Sequence, residues 1–391
     1  MYVNKRNSSS NPGNKVMINP KTYYDKLRGH GIDFFAGVPD SLLKDICAYI
    51  MDNTPRESNI IAANEGNAVG LAAGYHLATG KIPMVYMQNS GIGNAVNPIL
   101  SLADSQVYNF PIFLMIGWRG EPGLKDEPQH ITQGEVTIAL LEAMKIPYLV
   151  LSPDEGELDN QINQAIDNIK ETNSVFAIVV RKNTFEKYSI KTVTKTSFEL
   201  SREDVIEKIV ANLNGDEVIV STTGKTSREL FECRAKLNQP HSFDFLTVGS
   251  MGHSNQIALG IALNKKDKTV ICIDGDGAML MHMGSLAIVG NLSPENYIHY
   301  IINNGAHESV GGQPTVSFGI DIPKIALASG YKTALSISTA EELDEFLSDV
   351  SKYECPLLVE VKVKIGSRSD LGRPTIKPVD NKKDFMKNLL G

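Results

Sequence analysis

An α/β protein made of two doubly wound parallel-sheet domains is what the sequence predicts, on three observations. Short β-branched and apolar runs alternate with longer amphipathic ones along the chain, the rhythm of βα units around a parallel sheet. A polar stretch over 185–201, rich in Lys, Thr and Ser, cuts that alternation in two. A length of 391 residues, 42% of them hydrophobic and 21% charged, suffices for two sizeable cores. The expected organisation is a flexible tail over 1–16, a first domain over 17–184, a linker over 185–201 and a second domain over 202–391 that ends in a turn-rich tail.

In the first domain, strands are expected over 32–35, 59–62, 83–88, 111–117, 148–151 and 175–180. Gly37-Val38-Pro39-Asp40 is the turn into a helix capped by Asp40 or Ser41. After the second strand an Ala-rich and Gly-rich helix opens at Glu65, where an acid complements the helix dipole, and stops at Gly80. The turn over 89–98 is rich in Gly and Asn; it either closes a tight strand-to-helix connection or lines a site above the sheet's carboxyl edge. The loop over 117–134 holds the one Trp with Arg119, Lys125 and His130, and a loop this long is functional or a subunit contact.

In the second domain, strands are expected over 217–221, 245–250, 268–274 and 297–302, near Lys332 and over 356–363. The turn over 222–227 superficially resembles a phosphate loop, but it lacks the Walker spacing of glycines, which argues against ATP. Gly249-Ser250-Met251-Gly252-His253 runs into a second Ala-rich and Gly-rich helix; by itself Met251 reads as core and His253 as a helix cap or core histidine. The stretch around which the chain is organised is the β-branched run that stops at Gly275-Asp276-Gly277 and continues as an apolar helix. Such a turn seats a diphosphate: its glycines admit the backbone, the first helical N–H groups face the charge, and Asp276 can hold a bridging Mg²⁺. One helix and one strand later the chain reaches Asn303-Asn304, which brings an amide oxygen beside Asp276.

The net charge of −7 argues against nucleic acid or an acidic membrane surface as partner, so an anionic substrate needs a local cluster of cations. No apolar run approaches the roughly 20 residues of a membrane span. The N-terminal segment lacks the apolar core of a secretory signal. Four widely spaced cysteines read as reduced core thiols of a cytoplasmic protein.

Gly275-Asp276-Gly277 followed by Asn303-Asn304 resembles the signature of the thiamine diphosphate enzymes, and the resemblance extends from about Met17 to the end. It implies two domains of the thiamine diphosphate-binding fold, with Mg²⁺ held by Asp276, Asn304 and the main-chain oxygen of Ala306. Cofactor contacts are then implied at Gly249, Ser250, Gly275, Gly277 and Ala278, with Met251 as the apolar support of the bent cofactor. Glu65 becomes the carboxyl group that exchanges a proton with the aminopyrimidine, a task that needs partial burial. The phrases over 117–134, 306–315 and 366–375 resemble the narrower family of phosphonopyruvate decarboxylases. That likeness implies decarboxylation of 3-phosphonopyruvate to phosphonoacetaldehyde and CO₂ on the way to 2-aminoethylphosphonate. His307 and His130 are the candidate proton donors, and Arg119, Ser309, Arg368 and Arg373 the candidate substrate contacts. Alternatives are a sulfopyruvate decarboxylase, a carboligase, and a non-catalytic cofactor-binding subunit; the last is disfavoured because Glu65, Asp276 and Asn304 are all present. The resemblance also implies at least a homodimer, with the cofactor between the first domain of one chain and the second domain of another.

Overall fold

The computed structural model describes residues 17–191 and 196–391; the tail expected over 1–16 lies outside the described residues, as do 192–195 of the linker. In the first domain the order is α1 (Pro20–Gly29), β1 (Phe35–Gly37), α2 (Lys44–Asn53), β2 (Asn59–Ile61), α3 (Glu65–Thr79), β3 (Met84–Gln88), α4 (Ile92–Pro98), β4 (Ile112–Gly117), α5 (Pro128–Ala143), β5 (Tyr148–Val150), α6 (Leu158–Thr172) and β6 (Val175–Val180). The strands form one parallel sheet in the order β2-β1-β3-β4-β6-β5. β4 and β6 are buried at every position, as the uninterrupted runs Ile-Phe-Leu-Met-Ile-Gly and Val-Phe-Ala-Ile-Val-Val require of strands covered on both faces. One apolar layer lies on each face, around Tyr23, Phe35 and Phe113 on one and around Val69, Val85 and Leu114 on the other.

The second domain repeats the plan. It runs α7 (Arg202–Ala211), β7 (Val218–Ser221), α8 (Lys225–Lys236), β8 (Asp244–Leu246), α9 (Ser254–Asn264), β9 (Val270–Gly275), α10 (Asp276–Met281), α11 (Ser285–Leu292), β10 (Tyr297–Asn303), β11 (Ala306–His307), β12 (Gln313–Pro314), α12 (Ile322–Ala328), β13 (Thr333–Ile337), α13 (Ala340–Ser348), β14 (Leu357–Lys362) and α14 (Pro378–Leu390). Its parallel sheet is ordered β13-β14-β10-β9-β7-β8, and β11 with β12 makes a separate two-stranded hairpin. The polar start of α7 is fixed by a capping box between Ser201 and Asp204.

At the junction Phe185 is still packed on Tyr23, and Ile18 N donates to Thr184 O while Glu186 N donates to Ile18 O. Leu200 belongs to the core of the second domain, where Lys364 N donates to its carbonyl. Three expected elements shift. β1 begins at Phe35 rather than 32. α2 begins at Lys44, and Asp40 caps no helix but accepts from Leu42 N at 2.9 Å. β8 ends at Leu246 because the following chain turns sharply, with Ser250 at φ 55° and Gly252 at φ 84°. The hairpin of β11 and β12 is too short to leave a periodic signal. All four cysteines are free, and three are buried.

Candidate active site

In each sheet the winding changes direction after its first two strands, between β1 and β3 in the first and between β7 and β9 in the second, and ligands collect beyond the carboxyl ends of strands at such points. At the first of them stand two buried carboxyl groups. Glu65 opens α3, whose cap is Asn64, and is 5% exposed. Burial raises its pKa, opposed by a 2.8 Å bond from Asn94 Nδ2 to Oε2. The Gly-rich and Asn-rich turn after β3 is pressed against it: a Cβ on Gly91 would lie 2.3 Å from Glu65 Oε1. The second carboxyl, Asp40, is fully buried against Gly117 and is likewise raised by burial, with Gln88 Nε2 donating to Oδ1 at 2.6 Å.

Arg119 binds Asp126 at 2.8 and 2.5 Å and donates to Ser41 Oγ at 2.9 Å. That fork holds Asp126 down to about 2. His130, in the first turn of α5, is buried with Nδ1 unpartnered among the described residues; burial, then the charge of Arg119, lowers its pKa and keeps it neutral near pH 7.

At the second reversal point Asp276 opens α10, 3% exposed. Burial pushes it up to about 6, against hydroxyl bonds from Thr315 (2.5 Å) and Ser317 (3.0 Å). The adjacent asparagines divide their work. Asn303 is structural: its Nδ2 donates to Glu360 Oε1 at 2.7 Å, and its Oδ1 accepts from Gly305 N. Asn304 turns Oδ1 to Ala306 N at 3.0 Å and Nδ2 to Glu308 Oε2 at 2.9 Å. His307 and Met251 close over Gly277, where a Cβ would lie 2.9 Å from His307 Cε1 and 3.4 Å from Met251 Cε. Burial lowers His307 to about 4, so the ring is neutral at pH 7. Gly252 seats the 249–252 turn on α10: a Cβ there would meet Ala278 O at 2.9 Å. Burial opposes ionisation of Glu308, yet Arg202 and Lys225 outweigh it and lower its pKa.

The two edges meet within the chain: Asn64 Nδ2 donates to Met281 O at 3.2 Å, and Gly249 lies against the Gln129 side chain. Arg373 pairs with Glu127 beside a cavity of about 260 Å³ walled by Gln129, Thr223, Gly224, Arg228 and Val248. Ser309 faces this turn, its Oγ 3.9 Å from where a Gly224 Cβ would stand. Arg368 is not brought to the site: it is 40% exposed and tied to Glu203, Glu232 and Asp370.

These residues fit a diphosphate and a divalent cation. Asp276 is a buried carboxyl group with hydroxyl and backbone donors but no basic side chain among the groups that set its pKa, which leaves room for a cation. Thr222 Oγ1, buried at the carboxyl end of β7, has no partner among the described residues.

The comparisons with known proteins agree. Residues 21–143 match the model "Thiamine pyrophosphate enzyme, N-terminal TPP binding domain", and 222–361 match "Thiamine pyrophosphate enzyme, C-terminal TPP binding domain". Phosphonopyruvate decarboxylase of Streptomyces viridochromogenes is 31% identical, over 92% of each chain. That of Streptomyces hygroscopicus is 31% identical, over 93% of this chain and 92% of its own. Sulfopyruvate decarboxylase of Methanosarcina acetivorans is 28% identical, over 95% and 98%. The chain belongs to the family of thiamine diphosphate-dependent decarboxylases.

In this decarboxylase several site residues escape a reading by motif. Asn94, Asp40 and Gln88 become neighbours of the site only because the sheet orders β1 beside β3 and folds α4 back onto α3. The one available signal for Asp40 is a charged residue just past the end of a buried strand. The turn over 222–227, which carries no ATP spacing, nonetheless lies beside Gly275-Asp276-Gly277 across the reversal point. Among the described residues no helix is long and apolar enough to cross a membrane.

Proposed function

We propose that the decarboxylase acts on 3-phosphonopyruvate with thiamine diphosphate and Mg²⁺, releasing CO₂ and phosphonoacetaldehyde for 2-aminoethylphosphonate biosynthesis. The observation that carries this is likeness along nearly the whole of both chains to two phosphonopyruvate decarboxylases. Asp276, Asn304 and the Ala306 carbonyl would hold Mg²⁺, and the Gly275 to Ala278 turn with Gly249 and Ser250 would hold the cofactor. Thiamine diphosphate, when bound, supplies the electron sink for the breaking carbon–carbon bond. Glu65, whose pKa burial raises and whose Oε2 accepts from Asn94, holds the proton exchanged with the pyrimidine ring. Met251 fills space over Gly277 and keeps water from it. To His307 and His130, both neutral near pH 7, we assign the proton that the product carbon gains. Arg119, Arg373 and Ser309 are the groups we assign to the phosphonate. Arg368 drops out because its guanidinium is engaged on the outer face.

Sulfopyruvate is the second reading, since a relative of that name matches over an even larger share of both chains. The test is turnover of both oxo acids in parallel with Mg²⁺ and thiamine diphosphate, with phosphonoacetaldehyde and sulfoacetaldehyde quantified. Preference for sulfopyruvate overturns the substrate assignment and leaves the cofactor assignment intact.

We also propose a cytoplasmic homo-oligomer with sites shared between chains. Large apolar side chains stand exposed on both domains, among them Leu77 of α3, Tyr108, Ile288 and Leu292 of α11 and Leu327 of α12. The Asn64 to Met281 contact places the two halves together within one chain, so the shared arrangement needs the separate test described in the Discussion.

A further inference from the structure

We propose that Glu308 is a positioning residue for the divalent cation: it locks the Asn304 amide with its oxygen toward the metal, and Arg202 and Lys225 lock Glu308. This rests on the assignment of Asp276, Asn304 and Ala306 as the metal donors. The two ends of an asparagine amide are alike in shape and opposite in chemistry, and a cation takes only the oxygen. A carboxylate accepts and never donates, so Glu308 Oε2, 2.9 Å from Asn304 Nδ2, tolerates the NH₂ end alone. Flipping the amide would set two acceptors against each other and turn the NH₂ end toward the Ala306 N–H.

Glu308 lies in the connection between β11 and β12 on a single 3-10 turn, which by itself would not fix a long side chain. Lys225 Nζ reaches Oε1 at 2.8 Å from the start of α8, and Arg202 Nη1 reaches Oε2 at 3.1 Å from the start of α7. Arg202 is itself forked onto Glu229 at 2.5 and 2.7 Å, with both side chains buried. The cluster holds two cations and two carboxylates and is balanced without a metal. Asp276, which has no such cation, is left as the charge that a metal would meet. The charged pairs therefore serve orientation, and Asp276 serves binding.

The experiment is a titration of the full-length protein with Mn²⁺ in the presence of thiamine diphosphate, read by calorimetry and by the electron paramagnetic resonance of free Mn²⁺. Glu308→Ala should weaken Mn²⁺ binding by about 10- to 100-fold, the usual cost of losing a group that orients a metal ligand. Asn304→Asp combined with Glu308→Gln should regain most of that loss, because a carboxylate presents oxygen either way round and the introduced side-chain amide can donate to it. Glu229→Gln loosens the same ion cluster without touching the Asn304 amide, and should lower the melting temperature while leaving Mn²⁺ affinity within about twofold, inside the scatter of independent sites. Wild-type affinity in Glu308→Ala overturns the proposal, as does equal weakening in Glu308→Ala and Glu229→Gln. If Glu308→Ala does not fold, the double variant decides: recovery supports the orienting role, and failure to bind beside a folded, binding Asn304→Asp overturns it. Should the wild type bind no Mn²⁺, the donor assignment itself falls instead.

Discussion

Glu65 in the first domain and Asp276 in the second each open a helix at the carboxyl edge of a parallel sheet, are buried to within 5% of full cover, and have their pKa raised by burial. Their surroundings differ in the donors offered. Glu65 has one side-chain amide, from Asn94, and a glycine turn packed on its other oxygen. Asp276 has two hydroxyls, with Asn304 carried on the strand beside its own. A carboxyl group with a single neutral donor in an apolar setting is suited to share a proton, whereas one beside further oxygen donors is suited to a hard cation. Helix starts of the same kind are thus suited to two chemistries, and the neighbours, not the position, decide which.

The comparison is broken most severely at Glu65. Glu65→Gln keeps the shape and the Asn94 contact but cannot exchange a proton, so kcat should fall by about 10³-fold or more while Mn²⁺ and cofactor binding persist. Loss of binding together with kcat would show that Glu65 anchors rather than titrates. Asp276→Asn should do the reverse, weakening Mn²⁺ by about 100-fold and abolishing the rise in melting temperature on adding Mg²⁺ with thiamine diphosphate. Mixing these two inactive variants asks whether their partners lie in one chain. If sites are shared between chains, random hybrids regain up to about a quarter of wild-type activity, because one site of each hybrid dimer is intact. If the site closes within a chain, as the contact of Asn64 with Met281 arranges it, every site lacks one group and nothing returns.

A smaller perturbation sharpens the Glu65 side. Gly91→Ala drives a methyl group to 2.3 Å from Glu65 Oε1, whereas Gly93→Ala meets nothing within 4 Å. The first should cost about 1–3 kcal/mol of stability and lower kcat, and the second should be neutral. Equal effects in thermal melts would mean that the turn does not hold the carboxyl group.

Repeated alternation of apolar runs made both sheets legible in sequence, because strands buried on both faces leave little freedom of composition, as in β4, β6 and β10. The nearness of Asp276 and Asn304 was legible because a glycine turn and a double asparagine end successive strands that lie side by side. Arg368 misled because a guanidinium in a turn-rich tail looks the same whether it faces a site or three surface carboxylates. Asp40, Asn94 and Glu308 were not singled out for the site, since each gains its meaning from a residue on another element: Gln88, Glu65 and Asn304. The strand order that joins them comes from packing and is not written in any local pattern.

The mildest test uses pH. Asp276 titrates at about 6 in the metal-free protein, above the ordinary carboxylate value, so its proton favours the folded state. That contribution is complete below the unfolded-state value and is lost as pH rises through about 6. On the proposed assignment, Mg²⁺ competes with the same proton. Its affinity should therefore tighten by about fivefold from pH 5 to 6 and change by less than about threefold from pH 7 to 8. Glu65→Gln should leave this profile in place, since its carboxyl group belongs to the other edge, whereas Asp276→Asn should flatten it. A profile that follows Glu65 instead would mean that the two carboxyl groups titrate as one coupled pair across the contact of Asn64 with Met281, and the separation of proton work from metal work would fail.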